Sequence, residues 1–351
     1  MSAVVALQTD LDATNAALAA LTTRVTNNEA AIMALATRLG VDETTLESLL
    51  PATPTASTTQ SNLLFASGFG ASVSLPPPSN FYGTGAWQDI VGTDNLTGFS
   101  WPPNWGGGPT HFQLIANTLV DPTTIGNYMV NQIQTVTGHN GTPTQALYSE
   151  IKQTPGGWIQ DPLMFQPTSE VGDLYISYWL KHQPDFADGM GVGQVGTGWN
   201  WRMVFEWKTA GDYRVSAQIK RDPYLNGGNL FWNIKGDNEA NGGYPPNGVY
   251  TIFWEVNNMQ VPVPAGQWMK FEVFWHRSSG NDGRVWMAAN GQVLVDHYGP
   301  NMGSNNAAID RIIMPNLYSS SAMPIYQWVD DIEIWDGFPP TTGNNPPYAA
   351  H

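Results

Sequence analysis

The residues best able to do chemistry sit on two neighbouring segments. In Trp201-Arg-Met-Val-Phe-Glu-Trp-Lys208, strand alternation puts Trp201, Met203, Phe205 and Trp207 on one side and Arg202, Val204, Glu206 and Lys208 on the other. In Tyr213-Arg-Val-Ser-Ala-Gln-Ile-Lys220 the polar set is Arg214, Ser216, Gln218 and Lys220. Arg202, Glu206, Arg214 and Gln218 thereby form a candidate ligand-binding face. His276, on the polar side of its own strand, could face Glu206, Arg214 and Gln218 across the sheet and serve as a general base. A hydrogen-bonded surface histidine is the simpler reading. Asp331 and Glu333, in Asp330-Asp331-x-Glu333, share a face with Trp335 but equally suit a closing strand. No residue is assigned a catalytic role, and the chain reads as a binding protein rather than an enzyme. If it is an enzyme, His276, Glu206, Arg214 and Gln218 are the candidates.

Other side chains offer metal ligands and aromatic platforms. His111, His139, His182, His276, His297 and His351 show no paired ligand spacing, which argues against zinc. Asp185 and Asp188 share a Gly-rich loop and Asp330 and Asp331 adjoin a strand, so these four could hold a structural calcium, although such loops are also ordinary turn chemistry. No other cofactor is expected. Sugar rings present C–H faces that stack on aromatic planes, and Trp101, Trp105, Trp158 and Trp199 lie in Gly- and Pro-rich loops where such platforms would be exposed. Trp201, Trp207, Trp275 and Trp286 alternate with polar neighbours and are expected inside.

Composition limits what can position these groups. The chain has 351 residues, 42% of them hydrophobic and 12% charged, with 36 Gly and 26 Pro, a bias toward many short strands and turns. A formal charge of −15 repels phosphate backbones and anionic lipid, so neither nucleic acid nor membrane is an expected partner. With no cysteine, disulfides and thiolate chemistry are excluded. No apolar run approaches the ~20 residues that span a bilayer. Met1 to Asp10 lacks the basic-then-apolar pattern of a secretory signal, so display outside a cell would need another route, such as assembly into a virion in the host cytoplasm.

A rod precedes the strands. From Val4 a seven-residue period places Val4, Leu11, Leu18, Val25, Ile32 and Leu39 at position a, with Leu7, Leu21, Asn28 and Leu35 among the d positions. Arg24 and Arg38 fall at g and Glu29 and Glu43 at the following e, a pairing only parallel helices can make. Val25-Thr-Asn-Asn28 resembles the Asn-at-d layers of trimeric fibres and adhesin stalks, which implies a homotrimer; the packing rules alone leave dimer against trimer open. At 1.5 Å per residue the rod would be roughly 50 Å long. The expected divisions are a parallel coiled-coil stalk over 1–50, a Pro/Thr/Ser linker over 51–62, a β-sandwich head over 63–338 and an irregular tail over 339–351.

The head is mainly β. Strand Trp268 to Arg277 leads through a Gly-rich turn to Arg284–Ala289, and Asn290-Gly291 then turns the chain into Gln292–His297. Gly266-Gln-Trp-Met-Lys-Phe-Glu-Val-Phe-Trp275, Gly283-Arg-Val-Trp-Met-Ala-Ala-Asn-Gly-Gln292 and Trp328-Val-Asp-Asp-Ile-Glu-Ile-Trp335 resemble a concanavalin A-like jelly roll, the superfamily of laminin-G-like modules, legume lectins, laminarinases and several polysaccharide lyases. That resemblance implies two curved antiparallel sheets with a glycan on the concave face. The laminarinase Glu-x-Asp-x-Glu strand is absent, and Gln218-Ile219-Lys220 has Lys where the lyase Gln-x-His motif has His. The expected function is a homotrimeric virion fibre or decoration-type adhesin whose head binds polysaccharide, in contact with capsid or tail proteins. A polysaccharide depolymerase and a purely structural decoration protein are the alternatives.

Overall fold

The computed structural model describes residues 61–339, apart from 79, 83–84, 106–107, 110, 118–123, 154–159, 168–171, 191–200, 240–248, 304–305 and 319–323. The stalk residues Val4, Leu7, Leu11, Leu18, Leu21, Val25, Asn28, Ile32, Leu35 and Leu39 lie outside the described residues, as do Trp158, Trp199 and the tail from residue 340. No helix among the described residues is long and apolar enough to cross a membrane.

Two antiparallel sheets carry the fold. In chain order the strands are β1 (Leu63–Ser67), β2 (Asn80–Tyr82), β3 (Gly85–Asp89), β4 (Gly92–Thr93), β5 (Ser100–Trp101), β6 (Asn104–Trp105), β7 (Gly108–Pro109), β8 (His111–Asn117), β9 (Met129–Thr137), β10 (Pro143–Ile151) and β11 (Gln160–Gln166). They continue as β12 (Asp173–His182), β13 (Trp201–Thr209), β14 (Arg214–Arg221), β15 (Leu230–Asp237), β16 (Ile252–Asn258), β17 (Trp268–His276), β18 (Arg284–Ala289), β19 (Gln292–Tyr298), β20 (Ile309–Tyr318) and β21 (Ile325–Trp335). An eight-stranded sheet runs β19-β18-β17-β12-β21-β10-β9, with β1 added beside the end of β21. A nine-stranded sheet runs β16-β15-β14-β13-β20-β11-β8-β3-β2. The chain passes repeatedly from one sheet to the other, as at β10 to β11, β11 to β12, β12 to β13, β16 to β17, β19 to β20 and β20 to β21. This alternation makes the head a β-sandwich of jelly-roll type.

The core lies between the sheets and is built by alternation. Leu174, Ile176, Tyr178 and Leu180 of β12 and Met269, Phe271, Val273 and Trp275 of β17 meet Phe205, Trp207, Val215, Ala217 and Trp232 of the nine-stranded sheet. The rings of Trp207 and Trp275 sit 5.1 Å apart across this interface. The hairpins expected from the sequence are present. Asn290 and Gly291 both take positive φ, 50° and 73°, the conformation a two-residue primed turn requires. Ser61 and Asn62, expected in the linker, are tied to the head: Ser61 Oγ donates to the Phe338 carbonyl, and Asn62 Nδ2 donates to Asp336 at 2.9 Å.

One irregularity decides which side chains face outward. The pairing of β13 with β14 shifts between Met203 and Phe205, so Val204 and Phe205 both turn into the core. The bulged Val204 carbonyl accepts the Tyr178 hydroxyl of the opposite sheet at 2.6 Å. Beyond the bulge the alternation inverts. Arg202 pairs with the core residue Ile219, while Met203 pairs with Gln218 on the outer face.

Candidate functional site on the outer face of the nine-stranded sheet

Three ladders of in-register side chains cross the outer face of this sheet. The first runs Asp237–Arg214–Lys208–Arg311, the second Glu255–Lys235–Ser216–Glu206–Ile313, and the third Asn257–Asn233–Gln218–Met203–Asn316. A wide sheet lets long side chains on neighbouring strands lie over one another, about 4.8 Å apart. Glu206, Ser216, Asn233, Asp237 and Asn316 are at most 2% exposed, although they point away from the core.

Burial on this scale demands mutual neutralisation. Arg214 grips Asp237 with Nε and Nη2 at 2.8 and 2.6 Å and reaches Glu239 at 2.8 Å. Asp237 also takes Lys235 at 3.1 Å and the Tyr250 hydroxyl at 2.8 Å. Burial alone would raise the Asp237 carboxyl, but the Arg214 hydrogen bonds and the Lys235 charge outweigh it and hold it below the usual carboxylate range. Lys208 reaches Glu206 at 2.8 Å. Desolvation and the Arg214 and Arg311 guanidiniums push the Lys208 amine down to about 8. Desolvation and the Asp237 charge raise the Tyr250 phenol, which keeps it protonated.

The network leaves acceptors over. Ser216 Oγ, Asn233 Oδ1 and Asn316 Oδ1 are buried and find no hydrogen-bond partner. The Asn233 amide nitrogen is committed to Glu255 and Asn257 at 2.6 and 2.7 Å, and that of Asn316 to Gln160 at 3.1 Å, which fixes both oxygens in place. The face therefore combines cations, a phenol and oriented acceptors, the complement of a ligand rich in hydroxyl and carboxylate groups.

Glu206, Arg214 and Gln218 come together here as their alternation indicates. Arg202 does not join them. The bulge turns it inward, where it is 3% exposed and desolvation lowers its guanidinium to about 10. His276 does not face them either, because β17 belongs to the other sheet and His276 lies on that sheet's outer side, bonded to Asp173 at 2.6 Å. Trp101 is not an exposed platform: it is 4% exposed, packs on Phe65 and Phe69, and donates its indole N–H to Ser67 at 2.8 Å. Trp105 lies on β6, paired with Gly108. Missed from the sequence were Asn233, Lys235 and Asp237 of β15. Their period-two spacing in Phe231-Trp-Asn-Ile-Lys-Gly-Asp237 was a legible signal.

The four candidate calcium ligands sit in two places along the chain. Asp185 and Asp188 lie at the short helix α1 (Phe186–Gly189), away from β21 in the chain, and Asp185 accepts the Gln183 amide at 2.9 Å. Asp330 accepts from Thr144 at 3.0 Å and from the Asp331 N–H at 2.8 Å, and Asp331 pairs with His139 at 2.9 Å. Protein groups thus hold both Asp330 oxygens, one of Asp185 and one of Asp331. No group of three or more potential ligands able to hold a metal ion occurs among the described residues.

What the fold and the face define is a two-sheet β-sandwich with a charged, polar outer surface on one sheet. No family model matches the chain, and no curated protein matches it in sequence. Among solved structures it is similar to an alginate lyase in complex with alginate trisaccharide (12% identity, TM-score 0.36, covering 58% of this chain and 83% of that chain). It is also similar to an endo-β-1,4-glucuronan lyase from the fungus Trichoderma reesei (13%, 0.40, 58% and 86%) and to the binding domain of a botulinum neurotoxin of serotype D/C (9%, 0.35, 67% and 47%).

Proposed function

We propose that the chain is a homotrimeric virion fibre or decoration-type adhesin whose concanavalin A-like head binds polysaccharide on the outer face of the nine-stranded sheet. The heptads from Val4 to Leu39 supply the trimer, and trimerisation sets several weak heads side by side, so that avidity replaces tight single contacts. The observation that carries the binding reading is the outward row of Gln218, Lys220 and Lys235 on this face, an amide and two ammoniums that can donate to the hydroxyl and carboxylate oxygens of a glycan. On a glycan array the protein binds a restricted set of polysaccharides, and Gln218→Ala with Lys220→Ala lowers that binding roughly tenfold. An unchanged array would sink the assignment. Light scattering on the full chain gives a trimer mass, and a monomer mass refutes the stalk.

A second reading is favoured by Lys208. An amine near 8 is partly neutral at mildly alkaline pH and can take the proton beside a uronate carboxylate, with water protonating the departing oxygen. Such a β-elimination breaks the glycosidic C–O bond and leaves a double bond in the sugar. It releases unsaturated uronate at a rate that rises through pH 8 and vanishes in Lys208→Met. Absence of that absorbance from every uronate polymer leaves binding as the function.

A further inference from the structure

The eight-stranded sheet turns a different surface outward. Gln132, Tyr148, Trp328, Lys181 and Trp268 are consecutive in-register partners across β9, β10, β21, β12 and β17. They form one straight row. At about 4.8 Å per strand it is roughly 19 Å long. All five lie opposite the core: Leu147, Leu180, Val329 and Met269 are the chain neighbours of Tyr148, Lys181, Trp328 and Trp268, and Ile133, next to Gln132, packs against it. Gln132 is exposed and the other four are half-buried.

The row is held rigid from the sides. The Trp328 indole N–H donates to Gln134 Oε1 at 3.1 Å and that of Trp268 to the Thr137 carbonyl at 2.8 Å. Tyr148 packs at 5.3 Å from Trp328, and Tyr326 at 5.2 Å. Between the two indoles stands Lys181, its ammonium 5.3 Å from the Trp328 ring and 5.9 Å from that of Trp268. Among the described residues Lys181 pairs with no carboxylate. Lys208, Lys235 and Lys270 all do.

The same sheet shows what a closed aromatic surface looks like. Tyr175, Phe274 and Trp286 are also outward-facing, yet they are at most 6% exposed because Phe338 packs on all three. Among the described residues the row through Trp328 has no such cover. It also holds no aliphatic side chain, whereas a protein-docking patch of this size draws on aliphatic as well as aromatic residues. Rings, an amide and an ammonium with no carboxylate partner among the described residues, at steps of one strand, suit an amphipathic ligand with C–H faces, hydroxyls and negative charge.

We propose that this row is a second glycan surface, which takes a linear uronate-bearing oligosaccharide laid across the strands, its sugar faces on Trp328 and Trp268 and a carboxylate on Lys181. The site shares no residue with the polar face and does not depend on it. The test is titration of the full chain with oligogalacturonate and with a neutral cello-oligosaccharide, followed by tryptophan fluorescence, in the Gln218→Ala/Lys220→Ala background so that the polar face contributes little. Binding of oligogalacturonate persists there, weakens with added salt, and falls roughly tenfold in Lys181→Gln and in Trp268→Leu while the unfolding midpoint holds. The proposal is overturned if both variants bind as the parent does, or if the neutral sugar binds equally well and Lys181→Gln changes nothing. It is also overturned if Trp268→Leu instead lowers the oligomer mass, which would make the row a contact between copies of this chain.

Discussion

Arg214 on one sheet and Lys181 on the other show two ways of holding a cation on the outside of a sandwich. Arg214 is shared between Asp237 and Glu239 and is 5% exposed. Lys181 rests on aromatic rings with no carboxylate partner among the described residues. The first arrangement is a structural network whose members depend on one another. The second leaves a charge available at little cost, because ring faces stabilise an ammonium without neutralising it.

The sharpest way to break this contrast is to remove one member from each face. Asp237→Ala leaves Arg214 and Lys235 buried without their shared carboxylate and costs about 3–5 kcal/mol in denaturant unfolding. Lys181→Gln, measured the same way, stays within about 0.5 kcal/mol. Equal losses would mean that both faces are structural and that the row carries no spare charge.

Two buried aspartates of the nine-stranded sheet sharpen the point. Asp237 has cations and is held down; Asp161, with one amide donor from Asn131 and no cation, is pushed by burial up to about 7. A folded pKa above the unfolded 3.8 means that the folded state keeps its proton longer. Asp161 therefore contributes fully below pH 4, and that contribution is lost as pH rises through about 7. Asp161→Asn, which mimics the protonated acid, raises stability by a few kcal/mol at pH 8 and leaves it nearly unchanged at pH 4. His182, lowered to about 3 by burial and by Arg202, opposes this, since it loses stability as pH falls from 6.5 toward 3; thermal scans of Asp161→Asn against the parent cancel the His182 contribution. A pH-independent difference would remove the assigned shift.

Much of this was legible in the residues. Asn290-Gly291 announced its hairpin because few other dipeptides tolerate two positive φ angles, and Arg214, Ser216 and Gln218 stayed in phase because β14 has no bulge against β15. Arg202 was misplaced because one extra residue at Val204 inverts a period of two, and nothing local in Trp-Arg-Met-Val-Phe marks where the bulge falls. His276 was misplaced for another reason. Alternation says which residues share a face, not which of two sheets that face belongs to, and β17 lies in the sheet opposite β13. The Gln132–Trp268 row joins five strands far apart in sequence, so only the pairing register could reveal it.

His276 gives the smallest effect and the finest discrimination between the faces. Its Nδ1 lies 2.6 Å from Asp173, and that hydrogen bond, aided by the Asp173 and Asp282 charges, raises the imidazole above its ordinary value. A raised folded pKa means stability that is fully present below pH 6.5 and lost as pH climbs through the folded value. The side chains of His276 and Asp173 are 37% and 42% exposed, so solvent screens the pair to under about 1 kcal/mol. His276→Gln accordingly lowers the melting temperature slightly at pH 5.5, not at all at pH 8.5, and leaves binding or cleavage on the polar face unaltered at both. If glycan binding or uronate release fell in this variant at pH 8.5, His276 would have to act on ligand directly. The separation of the two outer faces would then be wrong.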